Sequence, residues 1–320
     1  MVPVIVEDTT RDRVQFADVG GGIEIAYETF GSASDPTILL VMGLGMQMLA
    51  WDEGFCQLLV DRGYQVVRYD NRDIGLSTKV GGGVPNILAG AVGLTGSARY
   101  TLRDMAQDAI GLLDHLDVDK AHIVGASMGG MIAQTLATKH PDRVLSLCSI
   151  MSSAGGRKPA VMPRMSVIGT LLAKPPTERE AYATHVAKIF TRIGSTGYDP
   201  DYKHLRERSL LMYDRSFYPT GGARQLMAIM ASGDRTRELH DIHCPTLVIH
   251  GLADKLIPSG AGEAVARAIP GARFEPIEGM GHDLPRELWP RITGSIAHNA
   301  ERAKPEPESH RGVSLAASRA

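Results

Sequence analysis

Cysteine is scarce in this chain: Cys56, Cys148 and Cys244 are the only three in 320 residues. They are scattered through apolar stretches at spacings that suit neither a disulfide framework nor a metal site, so each reads as a buried thiol. An excess of one charge is missing too. Lys and Arg number 34 against 36 Asp and Glu, a formal charge of −2, which gives no reason to expect a nucleic acid or a membrane surface as partner. No apolar run reaches the length of a membrane span. Met1-Val2-Pro3-Val4 leads into acidic residues with neither a basic n-region nor a long apolar h-region, which predicts no secretory leader and a cytoplasmic location. No internal repeat is visible. What remains is ordinary for a globular protein, 43% hydrophobic and 22% charged. The length allows one large α/β domain with an insertion, or two domains, around a substantial core.

The most informative stretch is Ala121-His122-Ile123-Val124-Gly125-Ala126-Ser127-Met128-Gly129-Gly130-Met131. An apolar, β-branched run ends in Gly-x-Ser-x-Gly, and a helical pattern follows at once. With 35 glycines in the chain the bare motif is a weak signal, and the readable strand before it and helix after it supply the weight. A strand–turn–helix of this kind strains the serine backbone and lifts Oγ above the sheet. Gly125 and Gly129 suit a close passage of strand and helix beside the turn.

Taken in order, the spacing predicts an antiparallel pair over 14–16 and 23–29, turned by Gly20-Gly21-Gly22. A continuous apolar strand follows at 37–42 and another strand at 64–69, with a helix over 51–62 between them. Residues 79–100 read as a long loop with a short helix near 87–92. Thr101 reads as the N-cap of a helix to Leu116. After the serine strand and its helix, 144–151 is another buried strand. The alternation predicts a mostly parallel, doubly wound sheet. It then breaks: residues 153–240 hold helical stretches near 160–173, 177–193, 200–213 and 221–231, joined by Pro and Gly turns. Strand and helix resume at 246–250, 260–269 and 273–277, with a last helix from Leu284 to about Ala300. This predicts a core of 1–152 and 241–300, a helical cap of 153–240 inserted after the sixth strand, and a disordered tail, 301–320, of Ala, Ser, Pro, Glu and Arg.

A serine hydroxyl needs a base to take its proton and an acid behind that base. Of eleven histidines, His122 and His250 lie inside strands and His115, His140 and His298 on helix surfaces or ends; His282 instead follows Gly279-Met280-Gly281 after the last strand. That is the sheet edge where ligand sites of open α/β sheets lie. The acid is expected at the end of another strand, between serine and histidine in sequence. Asp254, in Gly251-Leu252-Ala253-Asp254, meets this; the end of strand 144–151 carries no carboxylate before Glu178. Two backbone N–H groups must face the oxyanion. Met128 should give one, and Gly43-Leu44-Gly45 the other, through Leu44 with Gly43 as runner-up. Asp70 and Asp73 precede the serine, which is the wrong order, and read as pins of the 70–78 loop with Arg72 as partner.

These residues resemble the α/β-hydrolase superfamily over about residues 20–300. Gly125-Ala126-Ser127-Met128-Gly129, Asp254 and His282 carry the likeness. Met42-Gly43, the run Arg68-Tyr69-Asp70-x-Arg72-Asp73-x-Gly75-x-Ser77 and Gly279-Met280-Gly281-His282-x-Leu284-Pro285 are similar to the subgroup containing aclacinomycin methylesterase and bacterial lipase/esterase G-type proteins. The resemblance implies the α/β-hydrolase fold and a serine ester hydrolase without a cofactor or metal. Met42-Gly43 stands where many members have His-Gly, a change the subgroup shares.

The expectation is therefore cleavage of a small-molecule carboxylic ester through an acyl-enzyme, by a monomer or homodimer. Lactone opening, C–C bond hydrolysis or perhydrolysis on the same triad are the alternatives within enzymes. A ligand-binding receptor with little turnover is the alternative from another class. Met46, Trp51, Met151 and Met280 are candidate substrate contacts, with Leu44, Met48, Met128, Met162, Met165, Tyr213, Phe217, Met227 and Met230 around them. With only Asp283 and Lys255 charged near the histidine and the acid, the pocket reads as apolar and suited to uncharged esters.

Overall fold

Thr37–Val41 (β3), Gln65–Tyr69 (β4), Ala121–Ala126 (β5) and Thr246–Gly251 (β7) are buried at every position. Both faces of these strands are covered, so they are mainly apolar and their polar residues, Arg68, His122 and His250 among them, are buried as well. In the computed structural model, which describes residues 13–156 and 174–303, they belong to one eight-stranded sheet. The remaining strands are Gln15–Asp18 (β1), Glu24–Phe30 (β2), Val144–Ile150 (β6) and Arg273–Ile277 (β8). The order is β1-β2-β4-β3-β5-β6-β7-β8, with β1 and β2 antiparallel at one edge and every other pair parallel.

The helices lie on both faces. Leu102–His115 (α3), Met128–Lys139 (α4) and Ser259–Ala268 (α8) contribute Met105, Leu112, Ile132, Leu136 and Val265 to one apolar layer. Glu53–Val60 (α1) and Trp289–Glu301 (α9) contribute Phe55, Leu59, Ile292 and Ile296 to the other. Thr101 opens α3 through a capping box with Asp104. A short helix, Ile87–Ala91 (α2), interrupts the long loop after β4. The last helix starts later than its spacing suggests. Pro285 disfavours the helical region at Leu284, a short 3-10 turn spans Arg286–Leu288, and Pro290 is accommodated in the first turn of α9.

Between β6 and β7 the described chain forms three α-helices, Arg179–Ile193 (α5), Tyr202–Arg215 (α6) and Pro219–Ser232 (α7), then a 3-10 turn at Glu238–Asp241, and no strand. Pro219 opens α7 two residues before the spacing indicated, since its fixed φ suits a first helical turn. The helix expected over 160–173, with Met162 and Met165, lies outside the described residues, as does the tail from 304 onward. Among the described residues no helix is long and apolar enough to cross a membrane. No group of His, Cys, Asp and Glu among them is placed to hold a metal ion.

β3 sends the chain to β4 on one side, and β5 lies on its other side. The crevice at such a reversal is where open α/β sheets take ligands. The residues that follow β3 and β5 are the 43–48 loop and Ser127.

Candidate active site

Ser127 has φ 56° and ψ −120°, between the last residue of β5 and the first of α4. For a residue with a Cβ this conformation costs about 1–3 kcal/mol, so it must be imposed from outside. The imposing contacts come from neighbouring strands and turns. The Ser127 N–H donates to the Ile150 carbonyl at 2.9 Å, and the Ser127 carbonyl accepts from Ser152 Oγ at 2.7 Å and Gly130 N–H at 2.9 Å. The two motif glycines are needed sterically. A Cβ on Gly125 would collide with the Gly129 carbonyl, and one on Gly129 with the Val41 carbonyl.

His282 Nε2 lies 2.9 Å from Ser127 Oγ, and His282 Nδ1 lies 2.7 Å from Asp254 Oδ2. All three side chains converge although 155 residues separate serine from histidine. Asp254 is fully buried, and its Oδ1 accepts from the Leu256 and Ile257 N–H groups at 2.8 and 2.9 Å. Burial pushes its carboxyl pKa up. The His282 charge outweighs that, together with hydrogen bonds from His250, His282 and the Ile257 backbone, and the net value falls to about 2. An ionised Asp254 holds the proton on Nδ1 and leaves Nε2 as the acceptor facing Ser127.

A third histidine completes this group. His250, at the end of β7, puts Nε2 2.8 Å from the Ile257 carbonyl and 3.5 Å from Asp254 Oδ2, while Gly262 leaves room for its ring. Its strand position had marked it as an interior residue only. The His282 loop is also tied to the inserted helices. His282 N–H donates to the Ile193 carbonyl at 2.8 Å, Gly281 N–H to Ser195 Oγ at 2.9 Å, and Thr196 and Gly197 N–H groups to the Gly279 carbonyl. Ser195 Oγ in turn donates to Asp283 Oδ1. Burial raises the Asp283 carboxyl pKa, against the hydrogen bonds from Ser195.

The loop after β3 runs beside the serine: a Cβ on Gly43 would sit 3.1 Å from Ser127 Cβ. Distant side chains hold it. Asn71 Nδ2 donates to the Met42 carbonyl (2.9 Å), Gly45 N–H to Gln225 Oε1 (2.9 Å) and Met48 N–H to Asp70 Oδ1 (2.8 Å). Arg215 Nη1 reaches both Asp70 Oδ2 (2.6 Å) and Gln47 Oε1 (2.8 Å). Asp73 likewise pairs with Arg224, at 2.9 Å, and accepts from Tyr100 Oη. Asp70 and Asp73 do pin their own loop, through the Leu76 and Val80 N–H groups, but Arg72 is not their partner. It forks onto Asp108 of α3 at 2.6 and 2.5 Å. The arginines that Asp70 and Asp73 use come from α6 and α7, about 150 positions away, and no local pattern announces them.

A cavity of about 990 Å³ opens over Ser127, between the sheet edge and the inserted helices. Gly43, Leu44, Met46, Trp51, Ser127, Met128, Met151, Phe217 and His282 line it; Asp254 lies behind His282 and does not. Met280 is not in the lining. Its carbonyl accepts from Ala253 N–H, and its side chain is fully buried in the apolar layer with Ile277 and Trp289. Met48 and Met227 are also fully buried away from the cavity, and Tyr213, Met230 and Lys255 are not lining residues. The lining is less neutral than the sequence near the triad suggests. α5 and α6 and the histidine loop bring His185, His204, Arg208, Asp283, Arg286 and Glu287 to it, together with Asp52 at the start of α1.

The family model for the alpha/beta hydrolase fold matches residues 36–285. A rhodomycin D methylesterase of Streptomyces peucetius is 28% identical over 294 residues, 86% of this chain and 94% of the relative. A 3-oxoadipate enol-lactonase of Acinetobacter baylyi is 26% identical, over 80% of this chain and 85% of its own length. Among solved structures, a hydrolase from Pseudomonas aeruginosa superposes with a TM-score of 0.69 at 26% identity, over 89% of this chain and 97% of its own. A meta-cleavage product hydrolase from Pseudomonas fluorescens reaches 0.69 at 18% identity, over 91% and 99%, a likeness of fold alone. With the family model covering most of its length, the chain belongs to the alpha/beta hydrolase fold family.

Proposed function

We propose that this protein is a serine hydrolase that cleaves carboxylic esters through an acyl-enzyme. The supporting observation is the unbroken hydrogen-bond line from Ser127 through His282 to Asp254 at the floor of the cavity. Ser127 Oγ attacks the ester carbonyl while His282 Nε2 takes its proton. His282 then returns that proton to the departing alkoxide, and the acyl group stays on Ser127. A water repeats the sequence in reverse: His282 accepts its proton, the acyl–serine bond breaks, and the carboxylic acid leaves. Asp254 stays ionised throughout and stabilises the imidazolium. The oxyanion faces the N–H groups of Met128, the first residue of α4, and Leu44, neither of which is otherwise used in a hydrogen bond among the described residues. The inserted helices act as the cap that closes the cavity, with Met46, Trp51 and Met151 among the substrate contacts.

The likeness to a methylesterase favours small alcohol leaving groups. The likeness to an enol-lactonase supports lactone opening as a second reading on the same residues. A fluorophosphonate probe tests the nucleophile: the wild type should be labelled on Ser127, and Ser127→Ala should not. An ester and lactone panel then separates the two chemistries. An unlabelled wild type would overturn both.

A further inference from the structure

α6 shows the cavity a stripe spaced by four residues: His204, Arg208 and Met212. Two of the three are engaged. His204 Nε2 is 2.6 Å from Asp52 Oδ2, and Met212 packs with Met48 and Leu49. Arg208 differs. It lines the cavity, its Nε is fully buried, and that atom has no hydrogen-bond partner among the described residues. The rest of its guanidinium makes no hydrogen bond or ion pair to the described residues either. Sealing that Nε away without a partner is costly, and a guanidinium cannot shed its charge.

The two carboxylates whose charge acts on it are occupied. Asp52 caps α1 through the Gly54 N–H and holds His204; Asp201 caps α6 through the His204 N–H. Both attract Arg208 across the gap without touching it, while Arg286, another lining residue, repels it. Arg286 lies over the Trp289 ring, 5.2 Å from its centroid. Nor does the same insertion hold a counter-ion in 157–173, Arg157-Lys158-Pro159 to Ala173, whose sequence contains no Asp or Glu.

We propose that Arg208 is the seat for a carboxylate carried by the substrate itself, apart from the ester that Ser127 attacks. The proposal rests on the ester-hydrolase reading and names its substrate class: esters that bear one free carboxylate. A planar carboxylate fits the guanidinium fork in two parallel hydrogen bonds. A single negative charge suits the surroundings better than two, because Asp52 and Asp201 already offset part of the cationic field and would repel a phosphate dianion. This revises the expectation of a pocket for uncharged esters only. Ser127 and Arg208 line the same cavity, whose apolar residues, Leu44, Met46 and Trp51 among them, suit a carbon chain, and the cation would select the charged group that chain carries.

The test uses two sets of probes. In one the carboxylate is on the acyl side, as in monomethyl esters of α,ω-dicarboxylic acids. In the other it is on the alcohol side, as in carboxyalkyl acetates. Each is paired with the same ester bearing a carboxamide in place of the carboxylate. The wild type should favour the carboxylate in one set by ~10- to 100-fold in kcat/KM, chiefly through KM, the range of a charged hydrogen bond. Arg208→Met should bring that ratio to about one, and Arg208→Lys should keep part of it. The favoured set tells which side of the ester faces Arg208. A wild-type ratio near one in both sets, or an unchanged ratio in Arg208→Met, overturns the proposal. If Arg208→Met fails to fold, the wild-type ratio and Arg208→Lys decide. Turnover of the carboxamides alone, or of no probe by enzyme that still labels on Ser127, removes the carboxylate seat and leaves the hydrolase reading standing. Loss of labelling in the wild type removes both.

Discussion

Ser127 and the 43–48 loop face each other across the cavity floor, yet they are held by opposite means. The serine is fixed from within the sheet, by the Ile150 carbonyl of β6, by Ser152 and by two glycine clearances. The loop is fixed from outside, by Asn71 and Asp70 of the next loop and by Arg215 and Gln225 of the inserted helices. A serine held by short-range geometry tolerates change in the insertion. A loop held by side chains of the insertion depends on it. On the proposed function, the insertion is thus part of the reaction apparatus as well as its cover.

The sharpest way to break this comparison is at the serine side. Ser127→Ala and His282→Ala should each lower kcat by about four to six orders of magnitude, and the double variant little further, because the groups act as a unit. Additive losses would contradict the assignment. Asp254→Asn should cost on the order of 10⁴-fold through the wrong imidazole tautomer. Asp70→Asn keeps an acceptor for the Met48 N–H, so it should leave most of kcat and instead lower stability by about 3–5 kcal/mol, since Arg215 would be left buried without its charge partner. Urea titration and kcat measured on the same samples separate the two; a kcat collapse in Asp70→Asn with Asp254→Asn intact would reverse the roles. On the loop side, Gln225→Leu removes the acceptor for Gly45 N–H and should lower kcat roughly 10-fold with KM nearly unchanged. A drop in KM affinity with kcat preserved would show that Gln225 serves binding and not the loop.

The smallest effect concerns pH. Asp254 has its carboxyl at about 2 in the folded protein against an ordinary value of 3.8. Its contribution, about 2 kcal/mol, is therefore fully present above the unfolded value and is lost as pH falls through the folded one. In acid titrations followed by circular dichroism, Asp254→Asn should start less stable at neutral pH and lose less than the wild type between pH 4 and 2, a window taken from those two values. Parallel curves would show that Asp254 is not held by its neighbours.

How much of this was legible follows the same division. The strands, the strained serine, His282 and Asp254 were readable because each rests on a local pattern: buried runs, a Gly-x-Ser-x-Gly turn, residues at strand ends. The Asp70–Arg215 and Asp73–Arg224 pairs were not, because charge partners separated by about 150 positions leave no periodic trace. Arg72 was misassigned by proximity in sequence, and Asp108 is on a helix it meets only in the fold. His250 was hidden by its strand, and Met280 was placed at the cavity because the chain order around His282 does not say which side of the backbone faces inward. Arg208 was missed for the same reason as Arg215: it comes from α6.

The six backbone and side-chain ties between 193–197 and 279–283 also set where this protein can be recombined. Swapping the insertion for one from a relative is an obvious route to a new substrate range. A splice that takes α5 together with the turn after it would cut His282 loose from the Ile193 carbonyl and Gly281 from Ser195. A graft that begins after Gly197 keeps those ties and exchanges only α6 and α7. Donors for such chimaeras must then bring their own equivalents of Arg215 and Gln225, since the host retains Asp70 and the Gly45 N–H that await them.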